Sequence, residues 1–78
     1  MKTKELNKIS KRLGDIEVQL RAEYGLNRIS GGFVIVDMID YDDEFIYISI
    51  KDGIQSDCTN AVTCDEQRLN RNTLEFNN

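Results

Sequence analysis

The sequence predicts an α+β fold in which one N-terminal amphipathic helix packs on an antiparallel β-hairpin. Two observations predict it. Apolar residues recur at helical spacing through the first 25 residues, and two apolar runs within residues 33–51 flank a short acidic segment. The chain has 78 residues, so we expect a single small domain spanning 1–78, whose core must draw on both elements.

Residues 3–25 are predicted to form the helix. Thr3 is the expected N-cap, and Gly25 is expected to follow the C-cap in a left-handed conformation. We expect the apolar stripe to cover one face of the hairpin. The alternative is a coiled-coil seam with another chain, although the stripe is shorter than the three or four heptads typical of that structure. The stripe follows spacings of three and four residues and consists of Leu6, Ile9, Leu13, Ile16 and Leu20.

Residues 33–51 are predicted to form the hairpin, with its turn at residues 41–43. In that register Met38 lies opposite Ile46 and Val36 lies opposite Ile48. Side chains alternate between the two faces of a strand, so one face of the hairpin becomes entirely aliphatic. This predicted core face consists of Val34, Val36, Met38, Ile46, Ile48 and Ile50.

The opposite face of the hairpin is half apolar. One helix covers one face of a sheet, so the second face stays exposed unless residues 64–76 or a second copy of the chain cover it. A contiguous exposed apolar patch marks an interface. We therefore predict a homodimer, with cover by residues 64–76 as the alternative. The apolar residues of this outer face are Phe33, Ile35, Ile39, Phe45 and Tyr47.

The C-terminal third is predicted to be a polar connector at residues 55–60 followed by a short helix or strand. Thr63 and Glu66 have the spacing of a capping box, which favours a helix from Cys64 to Asn72. Residues 73–76 are expected to extend that helix or to add a short edge strand. A third strand joined through a tight turn at residues 52–53 is less favoured, because it sets polar residues against the aliphatic face.

The composition argues against an enzyme. The sequence contains no histidine, the commonest general base, and two cysteines supply half of a tetrahedral zinc site. We predict no catalytic residues, no metal ligands and no cofactor. Cys58 and Cys64 are expected to be reduced thiols, with a disulfide between them as the alternative. The N-terminal lysines precede no apolar segment, so we expect no secretory signal, no membrane span and a cytoplasmic location.

Negative charge is concentrated around the predicted turn. Nine of the 14 acidic residues lie between Asp37 and Glu66, where Lys51 is the one basic residue. Such a field steers a basic partner and repels nucleic acid. We expect the turn to lie far from the lysines of the helix; the alternative is that it is ordinary solvated surface. The predicted partner-binding residues are Asp40, Tyr41, Asp42, Asp43, Glu44, Phe45 and Tyr47.

In size, charge and organisation the chain resembles the small acidic inhibitors that phages and mobile elements encode against host nucleases, including anti-CRISPR proteins that mimic DNA. The resemblance implies that its partner is the basic surface of a larger host protein, without direct binding to nucleic acid or membrane. One alternative is a small oligomer that binds nucleotides through Arg28, Ser30 and the glycines at 31–32, since free backbone amides bind phosphate. Another is a structural subunit that assembles with itself.

Overall fold

The computed structural model describes residues 1–56 and 60–77. A helix, α1 (Thr3–Glu23), leads through a short 3-10 turn (Leu26–Arg28) into three strands: β1 (Gly32–Tyr41), β2 (Phe45–Gln55) and β3 (Asn60–Asn70). The strands form one antiparallel sheet in the order β1-β2-β3, and α1 packs on one face of it. The predicted α+β class, with an N-terminal helix on antiparallel strands, is confirmed.

The apolar stripe of α1 faces the sheet as predicted. Ile9 and Ile16 are 2% and 1% exposed, while Leu13 and Leu20 pack against the core at the margins of the stripe. Leu6, at the start of the stripe, is 42% exposed. The helix therefore contributes most of its buried apolar surface through its middle turns.

The two predicted helix caps have different outcomes. Thr3 is already the first helical residue and Lys2 precedes it without a capping side-chain hydrogen bond, so the Thr3 prediction is wrong. Gly25 adopts the predicted left-handed conformation, with φ of 67°. This reversal directs Leu26 back into the core, where it is buried.

The predicted aliphatic face of the hairpin is the core face of the sheet. Ile46 and Ile48, at the centre of β2, are completely buried. Val34 and Val36 are buried beside them, and β3 adds Leu69, which is also completely buried. Burial of each such side chain stabilises the fold by roughly 1.5–3 kcal/mol before the entropy of ordering is counted.

The register of β1 on β2 differs from the prediction by two residues. Met38 lies opposite Ile48 and Val36 opposite Ile50, so the predicted pairs are wrong. A β-bulge between Met38 and Asp40 accommodates an extra residue, Ile39, in β1, and moves the turn to residues 42–44. A shift of two residues preserves which face each side chain occupies, and for this reason the core face was still identified correctly.

The predicted C-terminal helix is wrong, because residues 64–70 belong to β3. All 11 residues of β3 pair with β2, from Asn60 opposite Gln55 to Asn70 opposite Phe45. This pairing satisfies the second edge of β2, which would otherwise present unpaired backbone groups. The ladder outweighs the local capping-box signal of Thr63 and Glu66. The predicted polar connector at 55–60 is in part strand, and residues 57–59 lie outside the described residues.

Gly53 lies within β2, although its sequence context suggests a turn. Its φ is 156°, and a Cβ at this position would lie 1.9 Å from the carbonyl oxygen of Ala61 in β3. Glycine therefore permits the close approach of β3 to β2 at this point. Asp52 and Gly53 consequently continue the strand instead of ending it.

The segment after β3 folds back along the edge of that strand. Phe76 forms a bridge with Leu69, and the Asn70 amide donates to the Glu75 carbonyl at 2.8 Å. The Asn77 amide donates to the Arg68 carbonyl at 3.0 Å. Neither prediction for residues 73–76 is confirmed, because residues 71–73 form a turn and Phe76 makes one isolated bridge in place of a helix or a strand.

The outer face of the sheet is only partly open within the part of the chain that the structure describes, because Phe33, Phe45 and Tyr47 are half-buried there. Ile35 and Ile39 of β1 are 47% and 51% exposed, and Val62 of β3 is 49% exposed. Residues 64–70 extend the sheet and Phe76 packs towards the helix side, beside Arg12. The C-terminal segment therefore does not cover this face, and the homodimer stays a prediction.

Candidate functional site

Asp42 builds the turn between β1 and β2. Its Oδ1 accepts hydrogen bonds from the amides of Glu44 at 2.8 Å and Phe45 at 2.7 Å, and its own amide donates to the Phe45 carbonyl at 2.9 Å. Its Oδ2 accepts from the hydroxyl of Tyr47 at 2.7 Å. An aspartate that satisfies amides two and three residues ahead fixes a turn without any other contact.

The hydrogen bond between Asp42 and Tyr47 also shifts the pKa values of both groups, in opposite directions. The Tyr47 hydroxyl and the two turn amides hold the pKa of Asp42 below its ordinary value. The same carboxylate raises the pKa of the Tyr47 hydroxyl, because the phenol donates to an anion. Asp42 is thus ionised at neutral pH, and its charge serves the turn itself.

Arg71, just beyond β3, clamps this turn to the rest of the molecule. Its Nε and Nη2 donate to the two carboxylate oxygens of Glu5 in α1, at 2.8 and 2.9 Å. Its Nη1 donates to the Asp42 carbonyl at 2.7 Å, and its backbone amide donates to the Glu44 carbonyl at 2.9 Å. The guanidinium also lies 5.3 Å from the centre of the Tyr41 ring. Arg71 therefore joins α1, the hairpin turn and the C-terminal turn.

Three carboxylates at the turn are exposed. Asp43 and Glu44 have no side-chain hydrogen bond or ion pair with the described residues, and Asp40 accepts one bond, from the neighbouring Tyr41 amide at 2.8 Å. Tyr41 is 45% exposed. These four residues are available to a partner from a turn whose backbone is already fixed.

The other predicted site residues have internal partners. The carboxylate of Asp42 and the hydroxyl of Tyr47 bind each other. Phe45 is half-buried, with the guanidinium of Arg68 lying 4.4 Å from the centre of its ring. All seven predicted residues thus lie at one end of the sheet. Four of them are exposed to a partner, and the other three, Asp42, Phe45 and Tyr47, have internal contacts.

Negative charge continues from the turn onto the outer face of the sheet. Asp37 of β1 and Glu66 of β3 flank Ser49 of β2 from opposite sides. We call the five exposed acids Asp37, Asp40, Asp43, Glu44 and Glu66 the acidic end. The sequence prediction did not include Asp37 or Glu66 in the site, because it gave Asp37 no role on the outer face of the hairpin and placed Glu66 in a helix.

The sequence prediction that the turn lies far from the helix lysines is wrong. The clamp between Arg71 and Glu5 sets the first turn of α1 beside the hairpin turn. Lys2, Lys4 and Lys8 line a hollow of about 390 Å³ next to this clamp. One end of the molecule thus carries basic groups on the helix side and acidic groups on the hairpin.

The glycines of the loop before β1 have a structural role. Gly31 has φ of 81°, and a Cβ there would lie 2.1 Å from the Gln55 carbonyl oxygen. The amide of Gly32 donates to the Ile29 carbonyl at 3.3 Å. Close packing and chain reversal account for these residues, so they give no separate support to a phosphate site.

The described residues, 1–56 and 60–77, offer neither a cluster of metal ligands nor a membrane-spanning helix. No group of three or more Cys, Asp or Glu residues in this part of the chain is placed to hold a metal ion. No helix in the same part is long and apolar enough to cross a membrane. Cys64 is exposed on β3. Cys58 lies outside the described residues, so the two reduced thiols and the alternative disulfide both stay predictions.

Comparison with known proteins gives no match. No protein-family model matches the sequence, and neither a curated protein nor a solved structure matches it significantly.

Proposed function

We propose that this chain is a small protein-interaction module that docks its acidic end on a basic surface of a larger protein. One observation carries the proposal. Asp43 and Glu44 present exposed carboxylates without a hydrogen bond or ion pair in the described structure, on a turn held by Asp42, Tyr47 and Arg71. The charge of Arg71 acts on Asp43 from a longer distance and leaves both carboxylates exposed. Like charges at neighbouring positions repel, and a cationic partner relieves that repulsion.

The rigidity of the turn favours binding. Ordering a flexible loop costs free energy that subtracts from affinity, and a turn already fixed by hydrogen bonds avoids most of that cost. Tyr41 adds an aromatic surface next to the carboxylates, and aromatic residues are enriched at the centres of binding patches. The acidic end therefore combines fixed charge with a partly exposed ring.

The partner class follows from the charge pattern. A basic surface large enough to match acids on the turn and on β1 and β3 is typical of proteins that handle nucleic acid, where lysine and arginine face phosphates. We propose that the chain occupies such a surface in the cytosol of a host cell and blocks it, as the resemblance to phage-encoded acidic inhibitors implies. In this proposal the chain is an inhibitor and not an enzyme.

Capture from cell lysate tests the proposal with two matched triple variants. The first removes three charges at the turn: Asp40→Asn, Asp43→Asn and Glu44→Gln. The control removes the same charge elsewhere: Asp15→Asn, Glu23→Gln and Glu75→Gln. Both retain Asp42 and Arg71, so both should keep the wild-type fold, as circular dichroism would check.

The expected result is that the wild type and the control retain the same basic protein. That protein should be released by duplex DNA and by raised salt, and the turn variant should fail to retain it. Equal retention by the turn variant would refute the assignment of the acidic end as the docking site.

A further inference from the structure

A second surface lies on the helix side of the sheet, away from the acidic end. The helix lies over β1, which leaves the helix-side residues of β3 uncovered, and Thr63 and Asp65 there are exposed. The result is a groove of about 500 Å³ between α1, the middle of β2 and β3, and the C-terminal segment. The groove begins at Ile50, the sixth residue of β2, which lies roughly 17 Å along the strand from Phe45 at the turn.

The lining of this groove combines three kinds of side chain. Leu20 and Ile50 supply an aliphatic floor. Tyr24 and Phe76 supply aromatic walls and are 51% and 38% exposed. Asp52 and Asp65 supply two carboxylates, and the described residues that line the groove include no lysine or arginine.

Asp52 is the decisive member of the groove. It is half-buried on the aliphatic face of β2, opposite Val34 on one side and Thr63 on the other. Its carboxylate has no hydrogen bond or ion pair with the described residues. A half-buried carboxylate without a hydrogen bond or ion pair offers an unmatched negative charge to a cation that enters the groove.

The neighbouring polar groups leave this position open. The carboxylate of Asp65 accepts from the side chain of Gln67 at 2.8 Å and from the Glu66 amide at 3.0 Å, and it keeps its negative charge facing the groove. Arg12 lies 5.8 Å from the centre of the Phe76 ring, and its Nε is committed to the Leu74 carbonyl at 2.8 Å.

We propose that this groove binds an arginine or lysine side chain from a segment of a protein partner. The methylene stem would lie on Leu20 and Ile50, since long cationic side chains bury their stems on apolar surface. The cationic head would lie between the two carboxylates, within reach of the Tyr24 ring for cation–π contact, since Arg12 already lies over the Phe76 ring. The inference rests on the proposed function for the identity of that partner and supplies it with a second anchor.

Nuclear magnetic resonance titration of the isotope-labelled full chain tests the groove. The probe is the peptide acetyl-Gly-Leu-Arg-Gly-amide, and the control peptide replaces arginine by citrulline, its neutral isostere. The arginine peptide should shift the amide signals of Tyr24, Asp52 and Asp65, and should bind about fivefold more tightly than the citrulline peptide. Equal binding of the two peptides, or shifts confined to the acidic end, would overturn the proposal.

A third titration separates sources of positive charge. Spermidine carries charge without a peptide backbone, and binding of spermidine more tightly than the arginine peptide would overturn the assignment to a protein side chain. The expected result is weaker binding of spermidine, because its charges cannot all be matched by two carboxylates.

Substitutions distinguish this inference from the proposed function. Asp52→Asn should weaken binding of the arginine peptide about fivefold, whereas Asp15→Asn, an exposed site on α1, should leave it unchanged. The triple variant of the acidic end should also leave it unchanged. If Asp52→Asn still bound the arginine peptide with wild-type affinity, the proposed role of the groove would be refuted and that of the acidic end would be unaffected. If Asp52→Asn failed to capture the partner while the turn variant still captured it, the result would support docking through the groove and refute docking through the acidic end.

Discussion

The guanidinium of Arg71 binds both carboxylate oxygens of Glu5, with Nε to Oε2 at 2.8 Å and Nη2 to Oε1 at 2.9 Å. This bidentate pair joins the turn after β3 to the first turn of α1 across 66 residues of sequence. The same guanidinium donates to the Asp42 carbonyl, so a single side chain fixes the hairpin turn relative to the helix. The hairpin turn that carries Asp43 and Glu44 is therefore held in place relative to α1.

Removing the clamp should destabilise the fold. Arg71→Gln and Glu5→Gln each remove the bidentate pair, and each should lower the thermal unfolding midpoint. Because both lose the same interaction, the double variant should lose less than the sum of the single variants. Calorimetry of the four proteins measures this, with exposed Lys4→Gln as a control that should match the wild type. Strictly additive losses would show that the pair contributes no coupling.

The packing of α1 on the sheet predicts unequal effects along one helix. Ile16 is 1% exposed, so Ile16→Ala should lower the free energy of unfolding by about 2–5 kcal/mol. Val18, on the solvent side and 69% exposed, should change it by less than about 0.5 kcal/mol when replaced by alanine. Urea unfolding monitored by circular dichroism measures both. Similar losses in the two variants would contradict the orientation of the helix.

Two glycines should respond to alanine with opposite signs. A Cβ at Gly53 meets the Ala61 carbonyl at 1.9 Å, so Gly53→Ala should destabilise the β2–β3 pairing by about 1–3 kcal/mol. A Cβ at Gly14 meets no atom within 4 Å inside α1, so Gly14→Ala should stabilise the protein by about 1 kcal/mol. Denaturant unfolding compares them. A stable Gly53→Ala protein would argue against the strand assignment of β3.

Stability should fall in acid because two carboxylates have lowered pKa values. The pKa of Asp42 lies below its ordinary 3.8, chiefly through the Tyr47 hydroxyl, and that of Glu5 below 4.5, chiefly through Arg71. As the pH falls, these carboxylates are protonated in the unfolded chain before they are protonated in the folded protein. Their contribution to stability is therefore complete at pH values above their ordinary pKa values, and it is lost as the pH falls through their folded-state pKa values. The urea concentration at the unfolding midpoint should therefore decrease once the pH falls below about 4.5.

Asp42→Asn provides the test of that acid dependence. This variant should unfold at a lower urea concentration at neutral pH and show a smaller further loss in acid than the wild type. Asp43→Asn, which removes an exposed carboxylate without a described hydrogen bond or ion pair, should keep the wild-type dependence. If Asp42→Asn and the wild type lost stability in parallel, another group would control the acid transition.

Local periodicity predicted the elements whose partners lie close in sequence. The stripe from Leu6 to Leu20 gave the helix, and alternation gave the core face. The bulge at Ile39 was not predictable, because nothing in an alternating apolar run marks one residue as extra. A shift of two residues left the core face unchanged, so that part of the prediction was insensitive to the error.

The pairing of β3 with β2 determined the structure of residues 60–70, which local sequence signals did not predict. Thr63 and Glu66 favour a helix locally, and the unpaired edge of β2 overrides that preference. The acidic residues of the turn were evident from charge alone. The sequence did not show which of these residues support the turn and which are exposed to a partner, because that difference depends on Arg71. Arg71 follows the turn by more than 25 residues and lies in a polar segment without any periodic signal.

The salt dependence of association with the captured basic protein tests the central claim most directly. Stopped-flow association rates would be compared for the wild type, the turn variant (Asp40→Asn, Asp43→Asn, Glu44→Gln) and the charge-matched control (Asp15→Asn, Glu23→Gln, Glu75→Gln). We predict that the wild type and the control associate quickly at low salt and slow steeply as salt rises, while the turn variant associates slowly with a shallow dependence. A turn variant that associates at the wild-type rate at low salt would contradict docking through the acidic end.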